Sequence, residues 1–98
     1  MSQNKYIVYI DQDWVNCSLL SLYGRPATAR EGFDFTQQIR KQVYDFINGN
    51  ETAENTALFA ERFTGPDGRK HYAVEIRQLP GSHSSTKILK RVKQLRKK

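Results

Sequence analysis

The sequence predicts a small α+β domain, with a mainly antiparallel sheet backed by helices and the element order strand, helix, helix, strand, strand, helix. Three observations carry that expectation: an apolar run of strand length near the start, a helical apolar period over 35–47, and a Gly-Pro-Asp-Gly turn between two later apolar segments. A chain of 98 residues suits one core. Five Phe, five Tyr and one Trp make it too aromatic for a disordered chain, although 27% of the residues are charged.

Residues 6–10 (YIVYI) are β-branched or aromatic throughout, which predicts a central strand buried on both faces. Asp11 and Asp13 break the run. Over 13–24, Asp13 can cap a helix in which Val15, Leu19, Leu22 and Tyr23 recur at helical spacing and Gly24 is the stop. Val15, Cys17 and Leu19 also alternate as in a strand, so 14–23 is open to both readings, with cap and stop favouring helix. Residues 25–32 (RPATAREG) lack an apolar period and predict a loop. Asp34, three residues before Gln37, then caps a helix whose core stripe is Phe35, Ile39, Val43, Phe46 and Ile47, ended by Asn48 and Gly49.

Residues 50–56 are polar and loop-like. Segments 57–64 and 69–79 flank GPDG, where Pro66 presets the first turn torsion and Gly68 accepts a positive φ, so a hairpin is predicted, although in its first arm Phe59 and Phe63 are also four apart and Ala, Leu and Glu favour helix. Tyr72, Val74 and Ile76 alternate with His71, Ala73, Glu75 and Arg77 along its second arm. Pro80 and Gly81 end that arm, and residues 82–86 offer caps for a last helix with Ile88, Leu89, Val92 and Leu95 on one stripe.

Charge divides the chain into a compact body, 1–83, and a basic amphipathic helix, 84–98, of the same domain. The chain has 16 Lys and Arg against 10 Asp and Glu, and seven of the cations fall in 84–98, which holds no carboxylate. Without that segment nine cations face ten carboxylates, so the net charge of +6 belongs to the tail. A concentrated cationic helix points to a partner with repeated negative charge, nucleic acid before membrane. The expected phosphate contacts are Lys87, Lys90, Arg91, Lys93 and Arg96, supported by Arg69, Lys70 and Arg77 around the hairpin. Tyr72 would stack a base if exposed, although its alternation favours the core.

Enzymatic readings rest on fewer residues. Asp11 and Asp13 at a strand end have the oxygen chemistry for Mg²⁺, but Asp13 already has a capping role and no third ligand is evident, so no metal or cofactor is expected. His71 beside Arg69, Lys70 and Tyr72 could act as base in a small metal-free ribonuclease of the bacterial toxin type, with His83 able to approach. Cys17, in an apolar stretch, is expected to pack rather than react; as the only cysteine it excludes an internal disulfide and a cysteine zinc cluster and suits a cytoplasmic setting. Neither GxSxG nor a glycine-rich phosphate loop is present.

The element order resembles that of KH-type RNA-binding domains and, loosely, of small bacterial ribonuclease toxins. The KH GxxG is absent, because the segment between the two helices reads GRPATAREG. The reading favoured by charge is therefore a non-enzymatic nucleic-acid-binding protein, for RNA or DNA, that could dimerise through an edge strand. The alternatives are the ribonuclease and a protein-binding inhibitor or assembly module whose basic helix docks on an acidic partner.

Overall fold

The computed structural model describes residues 6–79 and 87–97. Its elements are β1 (Tyr6–Ile10), α1 (Gln12–Tyr23), α2 (Ala29–Ile47), α3 (Ala53–Ala60), β2 (Arg62–Thr64), β3 (Lys70–Tyr72), β4 (Val74–Gln78) and α4 (Lys87–Arg96). The class is α+β and the strands are antiparallel, as expected. They form two two-stranded sheets, β1 with β4 and β2 with β3, rather than one.

The split falls at Ala73. Its N–H donates to the Glu61 carbonyl on the hairpin side and its carbonyl accepts from the Asp11 N–H on the other. One fully buried residue thus hands the second arm from β2 to β1. The register β1 to β4 runs from Tyr6 opposite Gln78 to Ile10 opposite Val74. Val8, Ile10, Val74 and Ile76 face the core, while Ile7 and Tyr9 are 46% and 56% exposed. The expected two-sided burial of β1 is therefore wrong: an unbroken apolar run does not say which of its faces is covered.

Residues 14–23 are helical, and Asp11 rather than Asp13 is the cap, its carboxylate accepting from the N–H groups of Asp13 and Trp14. Gly24 closes α1 at φ 70°, a left-handed conformation that favours glycine. Trp14, Val15 and Leu19 are buried, with Trp14 tilted against Phe35 at a ring separation of 5.6 Å. Leu22 and Tyr23, assigned to the stripe from sequence, are exposed, as is Cys17, which points away from Val15 and Leu19 instead of packing.

The helix expected from Asp34 starts earlier. Thr28 and Glu31 form the capping box of α2, so much of 25–32 is its first turn and Asp34 lies inside it, paired with Arg30. Arg25 clamps Glu31 with two bonds of 2.9 and 2.8 Å. Its guanidinium, with help from the Thr28 N–H, holds the Glu31 carboxyl down at about 2. The stripe itself is placed as expected: Val43 and Phe46 are buried, and Phe35, Ile39 and Ile47 pack around them.

Residues 53–60 form helix α3, where the sequence suggested loop and then strand. Thr52 and Asn55 cap each other reciprocally, and buried Asn55 also donates to the Asn50 carbonyl at 2.9 Å. Phe59, fully buried, meets Phe46 at 4.5 Å, so α3 joins α2 through a tilted aromatic pair worth roughly 0.5–1.5 kcal/mol beyond area burial. Only 62–64 of the expected strand 57–64 is paired as a strand.

Candidate nucleic-acid interface

Helix α4 joins the same core. Val92 is buried and Ile88, Leu89 and Leu95 pack against the cluster, with α3 as the neighbouring helix. This is the stripe expected from sequence, at i, i+1, i+4 and i+7. At 100° per residue its opposite side is fixed: Lys90, Lys93 and Lys97 lie there at i, i+3 and i+7, with Lys87 one turn earlier. All four are exposed. Lys90, Lys93 and Lys97 form no ion pair among the described residues. The caps expected at 82–86, Pro80, Gly81 and His83 lie outside the described residues.

The two arginines turn toward the body, Arg91 from beside the apolar stripe and Arg96 from within it. Arg91 Nε and Nη2 each donate to the Glu51 carboxylate at 3.0 Å, and Nη1 reaches Gln94 Oε1 at 3.3 Å. The bond from Arg91 holds the Glu51 carboxyl below its ordinary value. Arg96 is drawn in further, its side chain 17% exposed. Nε donates to the Phe59 carbonyl at 2.9 Å, Nη2 to the Val74 carbonyl at 2.6 Å and Nη1 to Glu75 Oε1 at 3.1 Å. Its guanidinium also lies 3.8 Å from the centre of the Tyr72 ring. A planar fork suits such a site in a way that a lysine point charge does not.

Of the five tail residues expected to meet phosphate, Lys87, Lys90 and Lys93 therefore stand on the outer ridge. Arg91 is half engaged and Arg96 is occupied inside. Lys97 joins the ridge, an addition that follows from extending the same helical phase by one turn.

The hairpin meets α4 through Tyr72. The ring is covered by Arg96 and approached by Arg62 at 5.5 Å, so it joins helix to hairpin instead of offering an open stacking surface. Arg62 is opposite Tyr72 and Thr64 opposite Lys70, which puts Arg62, Lys70 and Tyr72 on one side of the ribbon. Arg69 and Lys70 are exposed; Arg77 is exposed on β4, across from Ile7 on the outer face of the other sheet. Arg62 and Lys70 thus add cations on one side of the hairpin, which is tied to α4 by the Arg96–Tyr72 contact.

The hairpin turn is built as its residues suggest. Gly68 N–H donates to the Gly65 carbonyl at 3.0 Å, Gly65 N–H to the Arg69 carbonyl at 2.8 Å, and Gly68 has φ 78°. Asp67 inside it pairs with His71, Nε2 to Oδ1 at 2.9 Å, a partner that the sequence reading of His71 missed. The signal was the four-residue offset between them across the turn. His71 and the Arg69 N–H hold the Asp67 carboxyl below its ordinary value.

Asp11 and Asp13 do not converge on a further acidic group. Asp11 is engaged as the cap of α1, and among the described residues no three His, Cys, Asp or Glu side chains gather in a metal-binding arrangement. No described helix is long and apolar enough to cross a membrane. No family model matches the chain, and neither a curated protein nor a solved structure matches it.

Proposed function

We propose that this chain binds nucleic acid through the phosphate backbone, with the ridge Lys87, Lys90, Lys93 and Lys97 as the main contact and the hairpin cations, Arg62 and Lys70 on one side and Arg69 on the other, as further contacts. The observation that carries this reading is the division of labour on α4. Its arginines are held by Glu51 and Glu75, whereas Lys90, Lys93 and Lys97 stand in a row without carboxylates on a helix anchored by Val92. An inert surface helix mixes signs; a row of unneutralised cations on a fixed support meets repeated negative charge at little ordering cost. Each contact releases condensed counterions, so affinity is steeply salt-dependent and largely independent of sequence. Arg77, away from the ridge, is a secondary contact. A single cysteine and a nucleic-acid partner fit the cytoplasm. Burial of Val92 disfavours only the form of the protein-partner alternative in which the apolar stripe is the contact.

The test is a titration of labelled single- and double-stranded oligonucleotides at several salt concentrations, with the triple variant Lys90→Gln, Lys93→Gln, Lys97→Gln beside the parent. The triple change lowers the magnitude of the log-log salt slope by roughly 2 to 3 and weakens binding to all sequences alike. Unchanged affinity at low salt would sink the reading.

A further inference from the structure

Phosphate binding makes no use of the pair at the hairpin tip, and its geometry suits chemistry. His71 Nε2 lies 2.9 and 3.1 Å from the two oxygens of Asp67. An ionised carboxylate only accepts, so Nε2 carries the proton and the lone pair of the neutral ring is on Nδ1. Asp67 is itself fixed, because Oδ1 accepts from the Arg69 N–H at 2.9 Å inside a turn stiffened by Pro66. The ring is set from two sides. Phe63 stands opposite, with centroids 5.8 Å apart, and a Cβ on Gly65 would lie 2.7 Å from His71 Cδ2, so only glycine leaves room for the ring in this position. The His71 side chain is 40% exposed, and among the described residues the ring has no hydrogen-bond partner other than Asp67. The Gly65 N–H bond to the Arg69 carbonyl extends the β2–β3 pairing by one residue pair, which puts Arg69 on the His71 side of the ribbon.

We propose that His71, oriented by Asp67, is the general base of an RNA transesterification, an activity that rests on the nucleic-acid binding proposed above. Nδ1 takes the proton of a ribose 2′-hydroxyl, whose oxygen attacks the adjacent phosphorus. The P–O2′ bond forms as the P–O5′ bond breaks, leaving a 2′,3′-cyclic phosphate on one fragment. The departing 5′-oxygen takes a proton from water, and the imidazolium returns its own to the hydroxide so formed, so the step needs no other reactant. Arg69 offsets the charge that builds on the phosphorane, and Asp67 steadies the imidazolium. DNA, which has no 2′-hydroxyl, is bound and left intact.

The experiment incubates the full chain in EDTA with an end-labelled RNA oligonucleotide and, separately, with its 2′-O-methyl counterpart. Binding to the 2′-O-methyl strand and cleavage of the RNA are measured independently. The expected result is cleavage to a 2′,3′-cyclic phosphate end, reduced roughly 100-fold or more in His71→Asn, with binding of the 2′-O-methyl strand unchanged. Asp67→Asn keeps an acceptor for the Arg69 N–H; as a positioning residue it lowers the cleavage rate constant about 10-fold or more while half-saturation by RNA is unchanged. Circular dichroism of both variants confirms the fold. Binding without cleavage overturns this proposal and leaves the phosphate-binding one standing; absence of binding overturns both. Cleavage that persists in His71→Asn, or that requires Mg²⁺, overturns the assignment of the base.

Discussion

Sheet β1–β4 pairs five residues with five and buries one face, Val8, Ile10, Val74 and Ile76, whereas β2–β3 pairs three with three and has only Phe63 packed against the core from its first strand. The first is held by apolar area removed from water, the second by turn chemistry, the Asp67–His71 pair and the Arg96–Tyr72 contact. The hairpin residues proposed for binding and chemistry, Arg62, Lys70 and His71, lie on the less buried sheet. That is the expected distribution where a rigid layer supports a more adaptable one that meets a ligand.

The comparison breaks most readily at the core. Ile76→Ala is expected to cost about 2–5 kcal/mol in urea denaturation, and Phe63→Ala less than half as much as Ile76→Ala. Equal losses would mean that the hairpin is as deeply supported as the sheet. Arg96 comes next, since it links the two sheets. Its replacement by alanine leaves the Phe59 and Val74 carbonyls short of a donor and should cost about 2–3 kcal/mol. Arg96→Lys should recover less than half of that loss, because one ammonium cannot serve both carbonyls, Glu75 and the Tyr72 ring together. Full recovery would show that charge rather than the fork matters.

Gly65→Ala acts on the hairpin alone. The new methyl group displaces His71 from Asp67, for a stability loss of about 1 kcal/mol and a clear change in the His71 ring resonances by NMR, with the core unmoved. Unperturbed His71 resonances would show that the ring tolerates the methyl group. The smallest effect comes from Glu31, half-buried in the first turn of α2. Its folded carboxyl is held at about 2, below the ordinary value of 4.5, so its contribution is whole above 4.5 and fades as the pH falls toward 2. Thermal melts across that window should show Glu31→Gln losing less stability on acidification than the parent.

The parts of the fold written in local patterns were readable in advance. The apolar stripe of α4 and the GPDG turn are specified by residues within a few positions of each other, and both stand where the sequence placed them. Helix α3 was hidden because Phe59 and Phe63 fit either period and its capping box uses Asn55 in place of Glu or Gln. The start of α2 was hidden because its first turn faces solvent and shows no apolar period, although Thr28 and Glu31 were there to be read. The candidate interface was half legible. Helical phase selects the lysine ridge, but no local rule shows that Arg91 meets Glu51 forty residues away or that Arg96 reaches Val74. Charge counting alone treats all six described cations of the tail as equivalent, and tertiary pairing divides them.

The Arg96 fork on Val74 bears on self-association. Because the Asp11 N–H bonds to the Ala73 carbonyl, Ile10 and Val74 are a non-hydrogen-bonded pair, and the Val74 carbonyl turns away from β1. Nη2 of Arg96 takes that outward acceptor at 2.6 Å and places a positive charge beside it. A foreign strand pairing with this side of β4 at Val74 would have to displace the guanidinium. Arg96 thus obstructs strand pairing at this point of the β4 edge.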